Sequence, residues 1–112
     1  MDDETLAGAL PSLLADVWGI DNLRARPLGG GMNSATALVE TSDGARYVAK
    51  WSSDIESLQA GCSTAADLAA GGVRTGEPVP SEVGDLTTPL SEGALALLCH
   101  VPRSRADRRI GT

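Results

Sequence analysis

Residues 23–51, LRARPLGGGMNSATALVETSDGARYVAKW, hold three alternating runs joined by two turns too short for a crossover. Gly29, Gly30 and Gly31 follow the first run, Leu23–Leu28. The second run, Ala35–Thr41, leads into TSDGA, with Asp43-Gly44 at the tip of a hairpin turn, and Arg46–Trp51 completes the set. A parallel pair needs a crossover of about a dozen residues or more, so these three strands must be antiparallel neighbours.

The flanking segments fit around such a hairpin. Leu6, Leu10, Leu13, Leu14 and Val17 recur at three- and four-residue steps, which predicts a helix over Asp2–Trp18 that Pro11 interrupts or splits and Gly19 ends. A second helix is predicted over Asp54–Ala70, capped by Ser53 or Asp54 and closed by Gly71-Gly72. Its apolar stripe is Ile55, Leu58, Cys62, Ala65, Ala66 and Leu68 or Ala69. RTGEPVPSEVGD is a loop stiffened by Pro78 and Pro80, and the runs Leu86–Leu90 and Ala94–Val101 flank an SEGA turn. ALALLCHV has almost no polar alternation, as expected of a strand buried on both faces. With aromatics at 3% (Trp18, Tyr47 and Trp51, no Phe), the core must be built from Leu, Val and Ala. Ala buries little area, so the domain is expected to be loosely stabilised or part of a larger one. The predicted class is α+β: an antiparallel five-stranded sheet, the 54–70 helix against one face and the N-terminal helix beside it.

Several function classes fall away. A net charge of −6 argues against nucleic acid as partner, leaving the basic run RSRADRR as a solvated segment or a local patch. Cys62 and Cys99 have no CxxC spacing, so free thiols are expected and a metal site is not. The acidic N-terminus and the lack of a membrane-length apolar run point to a cytoplasmic protein without membrane contact. His100 is the single histidine and closes an apolar strand, where it reads as a packed strand-end residue ahead of a catalytic one. No Walker-type phosphate loop occurs, and the glycine run opens a strand where a dinucleotide-binding turn opens a helix.

What remains is strand, glycine turn, strand, turn, strand, with Lys50 in the last strand. Glycines let a backbone approach a polyphosphate closely and aim amides at it. A lysine one hairpin away can reach the same phosphates as a point charge. Val48, two residues before Lys50, shares its face of the strand and offers an apolar surface to a base. The competing reading is an ordinary glycine turn beside a solvated strand lysine.

The succession LGGGMNSATALVE, DGARYVAKW, LAAGGVRTGEPVP and GALALLCHVP resembles the small N-terminal lobe of the aminoglycoside phosphotransferase-like kinases. The family also includes choline, homoserine and fructosamine kinases, and the resemblance runs in order over essentially the whole chain. It implies a kinase-like small lobe over residues 1–102, with an αC-type helix, and a hinge exit over 103–112. There RRIGT looks like the start of the large lobe's first helix, broken off. By the same resemblance Gly29, Gly30, Gly31, Asn33 and Ser34 would cover the phosphates of ATP. Lys50 would bind the α- and β-phosphates, Val48 would roof the adenine, and the backbone of Cys99 and Val101 would hydrogen-bond its edge. Such kinases pair the lysine with a glutamate on the following helix. Here Glu56 is the only glutamate in that helix, and Gln59 or Ser63 stands where the family places the acid. The family's catalytic and metal-binding aspartates belong to the large lobe, and no HxD or DxD motif occurs in this sequence. The resemblance therefore implies no catalytic or metal residue here, Mg²⁺ only with a large lobe, and no turnover by the chain alone. Two readings stay open: an ATP-binding lobe of a small-molecule phosphotransferase, either truncated before its catalytic lobe or half of a split enzyme completed by a large-lobe polypeptide, and a non-catalytic protein that dimerises or binds a partner through the same fold.

Overall fold

The three runs of the hairpin region form consecutive antiparallel strands in the computed structural model, which describes residues 2–29, 34–72 and 76–100. They are β1 (Leu23–Pro27), β2 (Ser34–Thr41) and β3 (Arg46–Ser52), and two later strands, β4 (Thr87–Leu90) and β5 (Gly93–Cys99), complete one five-stranded sheet. Its order is β1-β2-β3-β5-β4, antiparallel at every pairing. β5 lies between β3 and β4, and Gly93–Leu97 are all buried, which accounts for its missing polar alternation. The two-residue turn Ser91-Glu92 that precedes it holds both residues at positive φ, 46° and 61°, the twist a tight hairpin requires.

Directly paired residues share a face of the sheet. Ala35, Ala37 and Val39 on β2 lie on the same face as Ala49 and Trp51 on β3 and Leu95 and Leu97 on β5. That face packs on the first helix, α1 (Asp3–Leu13), whose Leu6 and Leu10, with Leu14 just beyond, are fully buried in the same cluster. Small alanines on the sheet make room for large leucines on the helix. Asp2 caps α1 by accepting the Thr5 amide at 2.8 Å. The Thr5 side chain and amide together hold that carboxyl below its usual range.

The helix passes through Pro11 without splitting, and a π-helical turn over Leu14–Trp18 follows. An apolar stripe stepping by four residues drifts about 40° per step in an ordinary α-helix. A wider turn opposes that drift, and here Trp18 stays in the core with Leu6, Leu10 and Leu14. Its indole N–H donates to the Val79 carbonyl at 2.7 Å. Gly19, at φ 70°, then ends the helix in the left-handed region that favours glycine.

The second helix, α2 (Ile55–Ala70), lies on the opposite face of the sheet, over Lys50, Ser52 and Leu98. The two helices thus sandwich the sheet and do not sit side by side as the sequence suggested. The alternation of β2 and β3 explains it: α1 claims their alanine face, and the face of Ser34, Thr36 and Lys50 is left for α2. Asp54, not Ser53, is the cap, accepting from Ser57 N–H at 3.1 Å and Ser57 Oγ–H at 2.9 Å. These bonds hold the Asp54 carboxyl below its ordinary value. Of the expected stripe only Cys62 is buried; Leu58, Ala65, Ala66 and Ala69 are half-buried, and Ile55 and Leu68 are exposed. Among the described residues no helix is long and apolar enough to cross a membrane.

Candidate functional site

Lys50 stands on β3 between Thr36 of β2 and Ala96 of β5. Strand alternation puts Val48 and Ser52 on its face and Leu38 and Leu98 beside Val48. Between this face and α2 opens a cleft of about 380 Å³, walled by Lys50, Ser52, Leu58, Cys62, Ala65 and Leu98. Ser34 and Ser57 stand along its walls as well. The cleft combines one cation, several hydroxyls and apolar walls.

Lys50 is solvent-exposed and forms no ion pair among the described residues. The geometry of α2 explains why Glu56 is not its partner. Residues two apart on an α-helix point about 200° from each other, so Glu56 faces away from the Leu58, Cys62 and Ala65 stripe that walls the cleft. The helix instead presents Cys62 to the cleft. Burial pushes its thiol above the usual range, and the positive charge of Lys50 acts in the opposite direction. Cys62 is legible in the sequence only as a member of an apolar stripe; its place opposite Lys50 follows from which sheet face α2 covers.

The glycine turn starts at a branch point between β1 and β2. Leu28 N–H donates to the Thr36 carbonyl at 3.0 Å, and the Thr36 hydroxyl donates to the Gly29 carbonyl. The Thr36 amide donates to Oδ1 of Asp3, at the start of α1, at 3.1 Å. Gly29 takes φ 98°, a conformation open to glycine and strained for other residues. Ser34 pairs with Ser52 two residues beyond the Thr36–Lys50 pair and so shares the cleft face. Gly30, Gly31 and Asn33 lie outside the described residues. Thr36 and Asp3 were not singled out by sequence reasoning. A two-residue turn at Asp43-Gly44 would set Trp51 opposite Thr36, and only the observed three-residue turn, 42–44, sets Lys50 there; Asp3 carries no local signal.

At the far end of β5 the segment Gly76–Val79 runs alongside the strand, with Val79 N–H donating to Leu97 at 2.7 Å and Cys99 N–H donating to Glu77 at 2.8 Å. An adenine contact at Cys99 would therefore fall to its carbonyl. Cys99 is exposed, and partial desolvation of its thiol by the surrounding chain, then the nearby Glu77 charge, raise the thiol above its usual range. His100 donates its backbone N–H to Arg46 at 3.2 Å, a strand-end role. Val101 and residues 102–112 lie outside the described residues. Among the described residues, no three His, Cys, Asp or Glu side chains group to hold a metal.

No family model and no curated protein sequence matches the chain. Among solved structures, it is similar to spectinomycin phosphotransferase APH(9)-Ia, crystallised in complex with ADP and spectinomycin. The two superpose with a TM-score of 0.68 over 85% of this chain, at 18% sequence identity. The fold is that of a kinase-like small lobe. The likeness is one of backbone, since so few residues are shared, and the chain spans 29% of the length of that phosphotransferase. In this lobe α2 follows β3, and Lys50 lies on β3.

Proposed function

We propose that this chain is the nucleotide-binding part of a small-molecule phosphotransferase, with ATP lying on the sheet face that carries Lys50. The phosphates lie against Gly29–Ser34 and the Lys50 ammonium, the base against Val48, and the backbone at Cys99 and Val101 meets the adenine edge. The observation that carries this reading is the placement of Lys50: exposed, without an ion pair among the described residues, and on a cleft wall beside an apolar strand position. The structurally similar phosphotransferase is seen with ADP, which supports a nucleotide as the ligand. The described walls do not suit a resident Mg²⁺, which takes carboxylate oxygens, because the cleft lining contains no Asp or Glu. The chain's own contribution is to bind and orient the nucleotide. The acceptor site, catalytic base and metal ligands would come from a large lobe, in the cytoplasm.

Calorimetric titration with ADP tests this. Lys50→Ala is expected to weaken binding by about 1.5–3 kcal/mol, the loss of a hydrogen bond to a charged group, or roughly tenfold and more in Kd. Lys50 is exposed and has no ion pair to lose among the described residues, so the unfolding free energy should stay within about 0.5 kcal/mol of the parent's. Equal ADP binding by both proteins, or binding by neither, would remove the lysine from the site.

A second reading has its own observation. α2 buries only Cys62 and leaves Ile55 and Leu68 39% and 43% exposed, an apolar surface suited to another polypeptide. On that reading the chain self-associates or docks a large-lobe polypeptide through α2, whether or not it holds a nucleotide.

A further inference from the structure

Asp3 sits at the start of α1, the helix packed on the face of the sheet opposite Lys50, yet its carboxylate reaches the root of the glycine turn. In a regular antiparallel ladder every second facing pair exchanges two backbone hydrogen bonds, and Leu28–Thr36 falls on such a position. Leu28 and Thr36 make one: the Leu28 amide donates to the Thr36 carbonyl at 3.0 Å. The return donor, the Thr36 amide, goes instead to Asp3 Oδ1 at 3.1 Å. The second carboxylate oxygen lies 3.9 Å from where a Cβ on Gly29 would stand. A side chain 33 residues away thus takes the place of the β1 carbonyl at the point where the turn leaves the sheet. α1 does not need Asp3 for its own cap, which Asp2 supplies.

We propose that Asp3 is a positioning residue for the nucleotide site, with two opposed effects. Its oxygen fixes where the glycine turn parts from β2, and its negative charge, beside Gly29, opposes the phosphates that the turn would hold. The inference rests on the nucleotide reading above. A carboxylate beside a bound polyanion lowers affinity through a Coulomb term that salt screens. The two effects separate by substitution. Asp3→Asn keeps an acceptor oxygen for the Thr36 amide and removes the charge. Asp3→Ala removes both.

ADP titration of the parent and the two variants tests this, with amide hydrogen exchange at Thr36 as a second measurement. At an ionic strength of about 0.01 M, where the screening length is roughly 30 Å, Asp3→Asn should bind ADP about threefold or more tighter than the parent. That gain should shrink towards nothing near 1 M salt. Asp3→Ala should bind several-fold more weakly than Asp3→Asn, and its Thr36 amide should exchange faster than in either other protein. A purely structural role would weaken both variants and would not produce the salt-dependent gain. The same ADP affinity in all three proteins, or an unchanged Thr36 exchange rate in Asp3→Ala, would overturn the proposal while leaving the nucleotide reading in place. No ADP binding by the parent would overturn both.

Discussion

Gly93→Ala is expected to lower stability by about 3 kcal/mol or more, the upper end of the range for overpacking a closed site. A Cβ at this position would lie 2.8 Å from two carbons of the Trp51 indole and closer still to the Ser52 carbonyl. Neither neighbour can yield. The Ser52 carbonyl belongs to the backbone of β3, and the indole is 4% exposed with its N–H donated to Leu90 at 2.7 Å. Gly93 also follows directly on the two-residue turn that sets the β4–β5 register, so a shift there would be felt through both strands. Urea unfolding followed by circular dichroism would read the loss. Gly8→Ala and Gly61→Ala are suitable controls, because both glycines are helical and nothing stands within 4 Å of a new Cβ. Each should gain about 0.5–1 kcal/mol. A Gly93→Ala protein as stable as the parent would mean that β3 and β5 do not pack as described.

Leu10→Ala is expected to cost about 3–5 kcal/mol, within the upper part of the range for truncating a buried leucine. The cost depends on how well the site can collapse, and here it collapses poorly. Leu10 is fully buried, and its cluster includes Ala35, Ala37 and Ala49, none of which has a side chain long enough to refill the space. Half-buried Leu13, on the same helix, should lose clearly less when truncated in the same way. Equal losses at the two positions in denaturant titrations would contradict the packing of α1 on the alanine face.

Most of the sheet is legible in the sequence because its turns are short. The turn between β2 and β3 spans three residues, 42–44, so the observed Thr36–Lys50 pair lies one position away from the Thr36–Trp51 pair that a two-residue turn at Asp43-Gly44 would give. The continuous apolar run that begins at Ala94 marks β5 as an interior strand. The side of the sheet taken by each helix was not legible, because amphipathic stripes say that a helix has an apolar face and not which surface receives it. That choice was decided by side-chain volume, alanines of β2 and β3 against leucines of α1. It also decided the candidate site: with α2 over the Lys50 face, Cys62 comes to the cleft and Glu56 turns away. The passage of α1 through Pro11 was equally hidden, since Leu6, Leu10 and Leu14 are buried on both sides of the proline and hold the helix in place despite the lost backbone bond. Asp3 could not be found from sequence at all, because its partner Thr36 is distant in the chain and only the fold brings them together.

The proposed function requires that the hairpin from Leu28 to Trp51 cradle the phosphates of a nucleotide. Amide chemical shifts of the ¹⁵N-labelled protein, followed while ADP is added, test it most directly. The account predicts saturable shifts concentrated at Gly29–Ser34, at Val48–Lys50 and at Leu98–Val101, with the buried α1 face of the sheet, Ala35, Ala37 and Leu97, little changed. No saturable shift at millimolar ADP, or shifts gathered on α1 and away from Lys50, would contradict it.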